Sequence, residues 1–77
     1  MDVLTRAHLL LQVEPGRSAE VARFVGALPA VRGAAQTSGP FDVIAVVDEV
    51  SEQELSGTLA RVRRAPGLWA VRVCRAG

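Results

Sequence analysis

The sequence predicts an α+β fold of the ferredoxin-like kind, a βαββαβ chain. Three observations predict it. Apolar, β-branched runs alternate with two segments of helical period. The order of those segments is strand, helix, strand, strand, helix, strand. The two halves echo each other, since Leu28-Pro29-Ala30-Val31 and Ala65-Pro66-Gly67-Leu68 both lead from a helix into a strand. Two βαβ-like halves with right-handed crossovers give a four-stranded antiparallel sheet in the order 4-1-3-2, with both helices on one face.

The first strand is read from Ala7 to Val13, an apolar run ended by Glu14-Pro15-Gly16. Ser18 is a candidate helix cap, with Glu20 in the first turn opposing the helix dipole. Val21, Phe24, Val25 and Leu28 follow at helical spacing, and Pro29 ends the helix because it disfavours helical geometry at Leu28. Val31 to Ser38 is read as the second strand. Val43 to Val47 is apolar on both faces and is read as a doubly buried strand paired with the second through a short hairpin. Ser51-Glu52-Gln53-Glu54 fits a capping box at the start of a second helix with Leu55, Leu59 and Val62 as its stripe. Arg61, Arg63 and Arg64 are expected in its last turn. Leu68 to Cys74 is the final strand, with Trp69, Val71 and Val73 expected on one face, and Leu68 and Ala70 on the other.

Length and composition bound what such a chain does. It has 77 residues, one domain's worth, spanning 1–77. A chain of this size buries only about 60 % of the surface its unfolded form exposes, so partners would help it. Hydrophobic residues make up 49 %, and the net charge is +1, which argues against a general phosphate-binding surface. All nine basic residues are arginine, a coding bias more than a functional signal. The single cysteine, Cys74, excludes an internal disulfide and fits a reducing compartment. Asp2 interrupts a would-be signal region, and no apolar run approaches the roughly 20 residues of a membrane helix. The expectation is a cytoplasmic protein with no membrane partner.

Both helices cover one sheet face, yet the strands are apolar on both. Leu10 on the first strand, Ile44 and Val46 on the third, and Trp69 on the last are therefore candidates for a sheet-to-sheet dimer interface. Covering even a few hundred Å² of such surface is worth several kcal/mol at about 25 cal/mol per Å². That is comparable to the whole stability of a small domain.

No enzyme signature is present. His8 is the one histidine, and it has no CxxC or second histidine with which to hold a metal. Asp48-Glu49 reads as a solvated edge, and no glycine loop cradles a phosphate or cofactor. The expectation is no catalytic residue, no metal and no cofactor. Stacking aromatics for nucleic acid are missing, as the chain has no Tyr, one Trp and two Phe. The informative segment is Thr37-Ser38-Gly39-Pro40-Phe41-Asp42. Gly39 allows an unusual torsion. Asp42 suits two roles: accepting from nearby backbone amides, or accepting from a ligand ammonium.

Taken in order, Leu11-Gln12-Val13-Glu14-Pro15-Gly16, Leu28-Pro29-Ala30-Val31, Thr37-Ser38-Gly39-Pro40-Phe41-Asp42 and Ala65-Pro66-Gly67-Leu68 resemble the ligand-binding (RAM) domain of the Lrp/AsnC transcriptional regulators. The resemblance covers Ala7 to Cys74. It implies a sheet-to-sheet homodimer, further assembly into octamer-like rings, and an amino acid or related effector bound between dimers. The matching effector-binding positions are Gly39, Phe41 and Asp42, with Thr37 and Pro40 adjacent. Only six residues precede the first strand, so the family's helix-turn-helix has no counterpart. A stand-alone domain with no direct DNA binding is expected, acting on transcription through a full-length Lrp/AsnC relative. The family's last strand often carries threonines that help hold the effector; here it reads Val71-Arg72-Val73, and Arg72 is a candidate to recognise a carboxylate instead. Two other readings fit a βαββαβ pattern. One is an ACT-type amino-acid sensor, which pairs edge to edge. The other is a small dimeric α+β barrel enzyme resembling a monooxygenase, for which His8, Gln12 and Trp69 are the available polar and aromatic residues.

Overall fold

Six elements follow one another in the computed structural model: β1 (Thr5–Val13), α1 (Ser18–Gly26), β2 (Val31–Gln36), β3 (Val43–Val50), α2 (Glu52–Val62) and β4 (Leu68–Ala76). The structure describes residues 4–76; the side chains of Glu49 and Ala76 lie outside the description. Asp2 is likewise outside it. The strands form one antiparallel sheet in the order β2-β3-β1-β4, the 4-1-3-2 order of a ferredoxin-like fold.

Alternation along the central strands decides the core. Ala7, Leu9, Leu11 and Val13 of β1 and Val43, Ala45 and Val47 of β3 are all buried. They meet Val21 and Val25 of α1 and Leu55 and Val62 of α2 in a single apolar cluster. Both helices therefore sit on this one face. Phe24, Leu28 and Leu59 pack at its margin, half-buried. Thr58, which breaks the apolar pattern of α2, is buried as well.

The helix ends differ from the sequence reading at three points. Ser18 is the first helical residue and not the cap. Arg17 holds the cap position without a side-chain cap bond, and its Nε instead donates to Glu20 Oε2 at 3.1 Å. The helix closes at Gly26, short of Leu28. Pro29 keeps Leu28 from continuing it, and the Leu28 amide donates to the Val25 carbonyl in a tighter turn. Arg63 is the C-cap of α2 and Arg64 lies beyond it, so only Arg61 stands in the last turn. The capping box at Ser51 and Glu54 is formed in both directions.

Strand bounds also shift. β1 begins at Thr5 and β3 runs to Val50 because these residues pair with each other. β2 stops at Gln36. On β4 the register moves by one residue, Val13 pairing with Leu68 and Gln12 with Ala70. Trp69 is the extra residue of this bulge. The bulge breaks the expected alternation: Leu68 joins Val71 and Val73 against the core, and Trp69 is 69 % exposed.

Two ends of the sheet are tied differently. At the β1 start, Glu52 accepts from Thr5 Oγ1 at 2.9 Å and from Arg75 Nη2 at 2.8 Å. The Arg75 guanidinium, then the Thr5 hydroxyl, hold the Glu52 carboxyl below its usual range. At the opposite end the turns after β1 and α2 meet, with the Glu14 amide donating to the Gly67 carbonyl at 2.7 Å. Gly67 has φ +87°, and a Cβ there would lie 2.7 Å from Arg17 Cδ.

Candidate functional site

The face away from the helices is built from the remaining strand residues. Cross-strand pairing places Ala35, Ile44, Leu10 and Arg72 in one row and Gly33, Val46, His8 and Cys74 in the next. Leu10, Ile44 and Val46 are half-buried within the single chain, and no element covers them. Three of the four expected interface residues thus form one contiguous apolar patch. The fourth, Trp69, lies at the β4 bulge beyond these rows.

The β2–β3 hairpin closes over one end of this face. Gly39 takes φ +118°, a conformation open to glycine and strained for other residues. The Thr37 amide donates to the Asp42 carbonyl at 2.9 Å, and Thr37 Oγ1 donates to the Phe41 carbonyl at 2.7 Å. Three further bonds fasten the hairpin to β1. The Asp42 amide donates to the Leu11 carbonyl at 2.8 Å. The Val13 amide donates to Asp42 Oδ2 at 2.9 Å, and Gln12 Nε2 donates to the Pro40 carbonyl at 3.1 Å. Asp42 therefore fulfils the backbone-acceptor role, and it does so for a residue on another strand.

Between hairpin and β4 lies a cavity of about 220 Å³ lined by Leu10, Gln12, Phe41, Ala70, Val71 and Arg72. Of the five expected effector residues only Phe41 lines it. Thr37, Gly39 and Pro40 are exposed on the loop, and Asp42 is half-buried beside it. Ala70 escapes the sequence reading as a site residue, and Gln12 enters it only under the barrel-enzyme alternative, because the two become neighbours only through the β1–β4 register. Leu10 serves both the apolar patch and the cavity. Val71 and Val73, which stand where the resembling family has threonines, pack toward the core. Arg72 alone of that stretch shares a row with Leu10 on the open face.

A larger concavity, about 340 Å³, lies on the helix side, lined by Pro29, Ala30, Asp48, Val50 and Glu54. Its acids already have charge or capping partners, although Asp48 Oδ1 is buried and accepts no hydrogen bond among the described residues. Asp48 lies 3.4 Å from Arg6 Nε and 3.7 Å from Arg32 Nη1, and Glu54 closes the capping box with Ser51. The open-face cavity is the better candidate, since among the described residues Arg72 has neither an ion pair nor a hydrogen bond. Among the described residues no group of three or more His, Cys, Asp or Glu is placed to hold a metal ion. No described helix is long and apolar enough to cross a membrane.

The fold recurs in solved structures. TTHA0845 from Thermus thermophilus superposes with a TM-score of 0.88 at 20 % identity, covering 95 % of this chain and 92 % of its own. The hypothetical protein PHS023 from Pyrococcus horikoshii gives 0.86 at 23 %, covering 95 % and 89 %. FFRP-DM1 gives 0.85 at 23 %, covering 95 % and 99 %. No protein-family model and no curated protein sequence matches the chain. At these identities the likeness is one of fold, in each case over nearly the whole of both chains.

Proposed function

We propose that this chain is a non-catalytic binding and self-association module. Two copies pair open face to open face, and an amino-acid-like effector binds beside the β2–β3 hairpin. The observation that carries this reading is the open face itself: Leu10, Ile44 and Val46 are adjacent, apolar and uncovered. A monomer of this size has little reason to keep such a patch in water. A second sheet would remove it from solvent at a gain of several kcal/mol by the area argument, at about 25 cal/mol per Å².

Two further lines support it. The hairpin motif resembles that of the Lrp/AsnC ligand-binding domain, and the fold is that of small proteins matched over nearly their full length. In this reading pairs assemble further into rings, and the module modulates amino-acid-responsive transcription through a DNA-binding partner of the same family. The cavity beside Phe41 is a place for the effector, and dimer contacts would complete its walls.

A thermal-shift screen against the twenty standard amino acids, in one buffer, tests the effector half of the proposal. Ligand at 100 times its dissociation constant adds about 2.7 kcal/mol of stability. For a domain this small that is roughly ten degrees or more. One or a few amino acids should produce it. No shift with any of them contradicts an amino-acid effector.

A further inference from the structure

The open face carries one charge that its neighbours do not explain. In the two central rows, Ala35–Ile44–Leu10–Arg72 and Gly33–Val46–His8–Cys74, Arg72 is the only permanently charged side chain. It makes no ion pair or hydrogen bond among the described residues. The other arginines near strand ends are matched: Arg75 to Glu52, Arg6 and Arg32 to Asp48. Arg72 also lines the open-face cavity, against the apolar Leu10, Phe41 and Ala70. A guanidinium in partly apolar surroundings favours an anion strongly, and its planar fork matches a carboxylate with two parallel bonds. Covering the face with a like face would bring two such charges toward a low-dielectric interface with no acid in either row to meet them.

A second polar group sits in the same cavity. Gln12 spends its amide nitrogen on the Pro40 carbonyl. Its Oε1 has no partner among the described residues and remains an acceptor. The cavity thus offers a cationic fork on β4, a neutral acceptor on β1 and an apolar wall from Phe41. Its volume of about 220 Å³ suits a small organic molecule and not a polymer.

We infer that the open-face cavity is a carboxylate site in which Arg72 holds the acid group of a small organic ligand, with Phe41 and Leu10 against its apolar part. For an amino acid, Gln12 Oε1 accepts from the ammonium. This deepens the effector reading, on which it rests for the choice of cavity. It moves the anchor of the ligand from the hairpin loop to β4.

The test is an NMR titration of the uniformly ¹⁵N-labelled chain at fixed ionic strength with four probes: L-leucine, L-leucinamide, hexanoate and hexanamide. The two acids should shift the amides of residues 10, 12, 41, 70 and 72, and the two amides should not. Arg72→Gln should weaken the acids by about tenfold or more, and Arg72→Lys should retain part of the binding. Melting of both variants without ligand shows that each is folded, so a loss of binding is read on a folded chain. Equal binding of acid and amide, equal binding by Arg72→Gln, or no shift with either acid overturns the site. The two readings fail separately. Hexanoate held through Arg72, with no standard amino acid binding, preserves the carboxylate site and ends the amino-acid effector. Amino acids binding wild type and Arg72→Gln alike end the carboxylate site and preserve the effector.

Discussion

The two faces of the sheet are cut from the same strands, residue by residue. On β1, Leu9 and Leu11 are fully buried under the helices, while Leu10 between them is only half-buried on the open side. On β3, Ala45 is fully buried and its neighbours Ile44 and Val46 are not. The side chains are of one kind; their surroundings differ because α1 and α2 both lie on one side. Burial here is set by topology, through the right-handed crossovers, and not by the hydrophobicity of each residue. The face that topology leaves bare is the one we propose for a partner and a ligand.

The largest expected effect comes from cutting the same group from each face. Leu9→Ala opens a cavity in the cluster and should cost about 2–5 kcal/mol, most of the stability of so small a domain. Leu10→Ala should cost well under half as much at concentrations where the chain is monomeric. Urea unfolding of both variants checks the difference, and equal losses would erase the distinction between the faces.

Asp42→Ala removes the acceptor for the Val13 amide and should destabilise by about 1–3 kcal/mol. Its loss of stability should appear without any ligand present, read by the same urea midpoints. An unchanged midpoint would mean that the hairpin is not fastened to β1 as drawn. Ser51→Ala strips the cap of α2, a covering helix, and should cost about 1 kcal/mol. The open-face patch should be unaffected, so self-association should not change beyond that loss.

The smallest effect concerns acid. Glu52 has its folded-state acidity strengthened chiefly by Arg75, then by Thr5. A carboxyl depressed on folding contributes stability above its unfolded value, and that contribution is lost as pH falls through the folded one. Glu52→Gln should therefore flatten part of the decline in melting temperature below the ordinary carboxylate range. An unchanged acid limb would show that this exposed pair contributes nothing measurable, as many surface pairs do.

Much of this was legible in the residues. The doubled strand-helix-strand pattern implies the element order, and the right-handed crossover then fixes the sheet order. The Ser51 box is legible because both partners are local. What escapes depends on register. The bulge at Trp69 follows from how β4 lies against β1, and no alternation pattern in Leu68 to Val73 announces it. The same holds for the cavity, whose residues come from β1, the hairpin and β4. Asp42 has two plausible roles in sequence, and only the position of the Val13 amide shows that the backbone role is occupied.

The central claim is that a second copy covers the bare face. Sedimentation velocity across the micromolar range on wild type and Ile44→Glu, with circular dichroism on both, tests it most directly. The prediction is a dimer or larger species for wild type and a folded monomer for the variant. A folded wild-type monomer throughout that range, or a variant that associates as wild type does, would contradict it.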